Sequence, residues 1–159
     1  MSQKVFLNPG EFYFGDTASQ IHTLLGSCIA ITLWHQRLHI GGMCHYVLPQ
    51  KKPRSSEKNL DGRYADEAMR MCKRECAARG TKIKEYQVKI FGGSYAITQK
   101  NMAQESRIGH KNVEAAYTLL KQEGADILVS HVGATGSRKV VLDLNNGDVW
   151  VRHDEHITD

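Results

Sequence analysis

Cys28 and His45 are the residues whose types and surroundings could do chemistry together. Cys28 follows Gly26-Ser27 at the start of an apolar run. A thiol at the mouth of a strand can be exposed while neighbouring N–H groups stay free to hold an oxyanion. Gly26 lets the backbone turn sharply there. A nucleophilic Cys needs a base to reach its thiolate near neutral pH. His45 lies towards the end of the next apolar run, and an antiparallel hairpin of the two runs brings it beside Cys28. The chemistry open to such a pair is attack on an amide or ester carbonyl. Each residue alone also has a plainer role, since free Cys is among the most buried residue types and a strand His is commonly structural.

The other cysteines fit that plainer role. Cys44 neighbours His45 and should face the opposite side of its strand. Cys72 and Cys76 fall on the apolar stripe of a helix. A metal site is the rival use of Cys28, Cys44, His45, His35 and His39, but their spacing matches no familiar zinc pattern. His35 and His39 belong near the hairpin turn, far from Cys28, and His153 and His156 fall in a tail expected to be loose. Phe91-Gly92-Gly93-Ser94 and Val132 to Ser137 are tight turns or deliver backbone N–H groups to a site. Neither ends in the Gly-Lys-Ser/Thr of a phosphate loop, so no cofactor is expected.

Composition sets the frame. The chain has 159 residues, 41% hydrophobic and 24% charged, with a net charge of +4 and a pI near 8.9. That is the size of one domain, residues 1–159, with enough chain for a core. The basic residues are scattered, apart from Lys51, Lys52 and Arg54, so the basic stripe of a nucleic-acid binder is missing. No apolar run approaches the ~20 residues that span a bilayer, and no secretory leader is visible. A cytoplasmic location with free thiols is expected, since no Cys-x-x-Cys pair occurs.

The elements that must position the pair follow from periodicity. Cys28–Trp34 and Leu38–Leu48 read as paired strands, and Gly41-Gly42 inside the second signals a bulge or a close backbone approach. Pro49 to Leu60 reads as an exposed loop. Ala65, Ala68, Met69, Cys72 and Cys76 mark one face of a helix over 64–79, capped by Gly80. A strand over 85–91 precedes a second helix over 111–122, whose apolar face is Val113, Ala116, Tyr117 and Leu120 and which Gly124 stops. Strands over 125–131, 140–144 and 149–152 follow, with Asn146-Gly147 turning between the last two. The expected architecture is α+β: sandwich-like sheets with two main helices on one side.

Several segments carry a family resemblance. They are Thr23-Leu24-Leu25-Gly26-Ser27-Cys28, Gly41-Gly42-Met43-Cys44-His45, Leu48-Pro49, Tyr64-Ala65-Asp66 and Phe91-Gly92-Gly93. Ile108-Gly109-His110-Lys111-Asn112-Val113-Glu114-Ala115, Asn146-Gly147 and Val149-Trp150-Val151-Arg152 continue the pattern. In this order they resemble the CheD family, the chemoreceptor glutamine deamidases. The resemblance implies a fold like that of deamidating bacterial toxins, a catalytic Cys at Cys28 and a catalytic His at His45. It implies deamidation of glutamines on methyl-accepting chemotaxis receptors without a cofactor or metal, and, for some members, binding of a CheC-type phosphatase. Ser27 and Gly26 would border the substrate. The family's third residue, a Thr six places before the Cys, falls on His22. Thr23 serves instead if the backbone there is irregular; otherwise His22 or a main-chain group orients His45. A docking module without catalysis and a thiol hydrolase for small amides or esters are the other functions compatible with these residues.

Overall fold

The computed structural model describes residues 3–155. Its nine strands form two sheets. A four-stranded outer sheet, in the order β1-β3-β8-β9, is built from Gln3–Leu7, Ser19–Leu25, Ser137–Asp143 and Val149–Asp154. A five-stranded central sheet, in the order β2-β5-β4-β6-β7, is built from Phe12–Gly15, Ile40–Tyr46, Ile29–His35, Gln87–Gly92 and Ile127–Val132. Two helices, α1 (Ala65–Ala78) and α2 (Ile108–Gln122), lie on the far face of the central sheet. The layers are therefore outer sheet, central sheet, helices. This is the expected α+β sandwich with both main helices on one side. Among the described residues no helix is long and apolar enough to cross a membrane.

Strand alternation sorts the side chains into two cores. Ile29, Ile31 and Leu33 of β4, with Cys44 and Tyr46 of β5, face the helices and meet Ala68, Met69, Cys72, Ala116 and Leu120. Ala30 and Trp34 of β4, with Met43 of β5, face the outer sheet and meet Ile21, Leu25, Val140 and Leu142. The central sheet is thus covered on both faces, which explains why every residue of β4 is buried.

The helix expected over 64–79 is α1, and its five apolar positions are all buried. Gly80 follows it with a φ of 70°, a conformation that favours glycine as a C-cap. The second helix begins at Ile108, earlier than the periodicity indicates. Tyr117 does not belong to its buried face: it is 38% exposed and its hydroxyl pairs with Ser130. Gly41 and Gly42 mark close approach and not a bulge, for the β4–β5 register is unbroken. A Cβ at Gly41 would overlap the Leu33 carbonyl, and one at Gly42 the Tyr13 carbonyl. His153 is no part of a loose tail. It lies in β9, and its Nε2 meets the Thr135 carbonyl oxygen at 2.8 Å; His156 lies outside the described residues.

Three strands, β1, β2 and β3, precede Cys28, where the hydrophobic pattern marks none. The chain then passes from the outer sheet, at Leu25, to the central sheet, at Ile29. Gly26, Ser27 and Cys28 make that crossing.

Candidate active site

The β4–β5 ladder sets the relation of Cys28 to His45. Ala30 pairs with His45 and Ile29 with Tyr46, so Cys28 stands one residue beyond the ladder on the diagonal from His45. Diagonal neighbours on one face of a sheet have Cα atoms about 7–8 Å apart, within reach of an imidazole. Cys28 packs against the core between the sheets, the side on which His45 is met by Thr23. Cys44 points the other way, into the helix-side core. Cys28 is the one cysteine that is not buried.

His45 is 1% exposed and oriented by Thr23. The Thr23 hydroxyl lies 2.7 Å from His45 Nδ1 and donates its single hydrogen to the Leu7 carbonyl at 2.9 Å. At the imidazole the same oxygen must therefore accept, which places the ring proton on Nδ1 and leaves the Nε2 lone pair free. Nε2 has no hydrogen-bond partner among the described residues. Burial pushes the His45 pKa down to about 4, opposed by the charge of Glu11. Burial also pushes the Cys28 thiol up, partly offset by its own N–H. At neutral pH the thiol and the imidazole are therefore both uncharged.

His22 does not reach this site. β3 alternates Ile21, Thr23 and Leu25 inward, and His22 and Leu24 outward. His22 stacks on Phe6, with ring centroids 4.7 Å apart. The strand is regular, paired without a break to β1 and β8. Thr23 thus meets His45 from a regular strand, without the irregular backbone that this role was expected to need.

The crossing is braced from three sides. Gly93 N–H donates to the Cys28 carbonyl at 2.9 Å, and Ser94 N–H to the Gly26 carbonyl at 3.0 Å. Gly92 and Gly93 adopt φ of 113° and 72°, which only glycine tolerates readily. From α2, Asn112 Nδ2 donates to the Ser27 carbonyl at 3.0 Å. Arg138, 1% exposed, donates from β8 to the Gly92 and Gly133 carbonyls and the Ser94 hydroxyl. Sequence reasoning gave Asn112 and Arg138 no role, whereas the Gly92-Gly93-Ser94 turn delivers backbone N–H groups, here to the carbonyls of the crossing. A polar Asn beside Val113 on the buried face of a helix was the available signal for the first.

Gly26 and Ser27 floor an open cleft of about 490 Å³, walled by Ser94, Tyr95, Ile97 and Thr135. The Cys28 N–H donates to no main-chain acceptor among the described residues. The rival metal ligands are dispersed: Cys44 and His45 face opposite sides of β5, and His35 ends β4 at its other end.

The family model for CheD chemotactic sensory transduction matches residues 47–153. A relative from Dechloromonas aromatica (strain RCB), "Probable chemoreceptor glutamine deamidase CheD 3", is 47% identical over 148 residues, 93% of this chain and 86% of its own.

The chain belongs to the CheD family.

A second relative, the "Probable chemoreceptor glutamine deamidase CheD" of Pseudomonas syringae pv. tomato (strain ATCC BAA-871 / DC3000), is 42% identical and is covered over 89% of its length by 94% of this chain. A CheD of Leptospira interrogans (serogroup Icterohaemorrhagiae serovar copenhageni, strain Fiocruz L1-130) is 35% identical, covering 96% of this chain and 93% of its own. The alignments to these CheD relatives span nearly the whole chain, whereas the family model begins just past His45.

Proposed function

We propose that the protein is a cysteine-dependent deamidase of chemoreceptors, converting chosen glutamine side chains to glutamate and ammonia. The observation that carries this is the Thr23–His45 hydrogen bond, which leaves His45 Nε2 bare on the face shared with the unburied Cys28. The names of the CheD relatives supply the substrate class. The open cleft bordered by Gly26 and Ser27, which precede Cys28 in the chain, also suits a protein side chain better than a small amide or ester, for which a closed pocket would be expected.

In the first half-reaction His45 Nε2 takes the Cys28 proton as the sulfur attacks the glutamine δ-carbonyl. The Cys28 N–H holds the oxyanion; losing such a donor typically costs about 3 kcal/mol of barrier. The C–N bond breaks, the His45 proton leaves with ammonia, and a thioester remains. In the second half, His45 takes a proton from water, the hydroxyl attacks the thioester, and glutamate and the thiol are released. The balance is glutamine plus water to glutamate plus ammonia. No step calls on a cofactor or a metal.

Incubation of a receptor cytoplasmic fragment with the protein should raise its mass by about one dalton per modified glutamine, and Cys28→Ala should abolish the gain. A gain of normal rate with Cys28→Ala overturns the proposal. A CheC-type phosphatase is a further candidate partner, tested by co-purification of the two proteins. Cytoplasmic location and a single folding unit over 1–159 belong to the same proposal.

A further inference from the structure

Asn112 is fully buried near the start of α2, and its amide spans the two segments that carry the Cys–His pair. Nδ2 donates to the carbonyls of Ser27, at 3.0 Å, and of Val47, at 2.8 Å. Ser27 immediately precedes Cys28, and Val47 follows His45 by one intervening residue, Tyr46. The Tyr46 hydroxyl in turn donates to the Asn112 carbonyl at 2.5 Å. Asn112 Oδ1, by contrast, has no partner among the described residues. A buried acceptor left bare is costly. The side chain therefore does not sit here for its own satisfaction; both its N–H groups are committed to carbonyls flanking the reactive pair.

Peptide planarity gives this commitment a consequence. The Ser27 C=O and the Cys28 N–H belong to one rigid plane and point in opposite directions in a trans peptide. Asn112 draws the Ser27 oxygen towards α2, on the helix side of the central sheet. The Cys28 N–H is thereby aimed away from the helices, towards the side where Cys28 and His45 lie. The plane that follows is pinned as well, since Gly93 N–H holds the Cys28 oxygen at 2.9 Å.

We infer that Asn112 is a positioning residue that locks the Ser27–Cys28 peptide so that the Cys28 N–H receives the oxyanion of the tetrahedral intermediate. The inference rests on Cys28 being the nucleophile. It adds that α2 is part of the oxyanion-stabilising machinery although it donates no group to the substrate.

Two reactions of the same thiol separate this role from scaffolding. Deamidation builds an oxyanion; alkylation by iodoacetamide displaces iodide from carbon and builds none. Cys28 is the only unburied thiol, so its alkylation can be followed by intact mass. Asn112→Ala should lower kcat for receptor deamidation about 100-fold. KM should stay within about threefold. The alkylation rate should stay within about twofold of wild type. A parallel loss of both reactions, or unchanged deamidation, overturns the inference. If Asn112→Ala is not recovered folded, Asn112→Asp keeps the shape, gives up donors and is read in the same way. Failure of both variants to fold places Asn112 in the scaffold and also overturns it. Full deamidation by Cys28→Ala would instead strike the underlying nucleophile assignment, so the two failures are distinguishable.

Discussion

The Thr23 hydroxyl does two things at once at His45: it fixes the imidazole tautomer and ties the ring to the Leu7 carbonyl. Thr23→Val keeps the shape and removes the hydroxyl, leaving the Nδ1 proton unpaired in a buried site. Such a loss costs about 1–3 kcal/mol of stability. Deamidation should fall at least tenfold in kcat, while Thr23→Ser should hold near wild type and His22→Ala, on the other face, should be neutral. A crippled His22→Ala with a normal Thr23→Val would reverse the assignment. His45 also makes the fold sensitive to acid. Its folded pKa is depressed to about 4 from an ordinary 6.5, so the unfolded chain binds the extra proton between those values. Its contribution is complete above pH 6.5 and is lost as pH falls towards 4. His45→Gln should therefore lose about 2 kcal/mol less stability than wild type when urea melts at about pH 7.5 and about pH 5 are compared. An equal loss in both would show that His45 titrates normally. At this scale the placing of Cys28 and His45 on one face of neighbouring strands, and of Cys44 on the other, was legible from type and alternation. The choice between Thr23 and His22 was not, because it turns on which face of an unrecognised strand looks inward.

Helices and the central hairpin were readable because their periodicity is strong: α1 presents Ala65, Ala68, Met69, Cys72 and Cys76, and β4 is apolar throughout. The strands ahead of Cys28 escaped because they are short or mix polar residues into inward positions, as Ser19 and Thr23 do in β3. The start of α2 was missed because its first turn holds Gly109, a poor helix former. Gly109 is there for contact: a Cβ would press on the Gly93 and Ser94 carbonyls, where the helix meets the loop that braces Cys28. Gly109→Ala should push helix and loop apart and lower stability by about 1–3 kcal/mol in chemical denaturation, despite the better helix propensity of alanine. Stabilisation by that substitution would mean that the loop yields freely. Arg107, just before α2, donates to the Gln99 and Lys100 carbonyls and stacks on Tyr95 at 3.8 Å, so the same end of the helix also shapes the cleft wall.

Across the molecule, the two sheets are joined by their shared core and by Arg138, which reaches from the outer sheet to the ends of β6 and β7 without forming an ion pair among the described residues. Its fork holds two carbonyls, a hydroxyl and His131 Nδ1. Arg138→Ala should strand those groups and lower unfolding free energy by about 2–4 kcal/mol. Arg138→Lys, a single-point donor, should recover only part of it in the same urea titration. Full recovery by lysine would reduce the role to charge alone. The sandwich was legible from the count of strands and helices. The buried guanidinium was not, since a lone Arg in an alternating strand reads as a solvent-facing residue.

Thr23 belongs to one sheet and His45 to the other, and the Cys28 segment is one of the pieces of chain that pass between them. On the proposed mechanism, reactivity is therefore interlocked with assembly: a nascent or heat-damaged copy whose sheets have parted would carry a thiol without an oriented base, and would leave the glutamines of whatever it touches intact. The enzyme is armed only by the closure of its own fold.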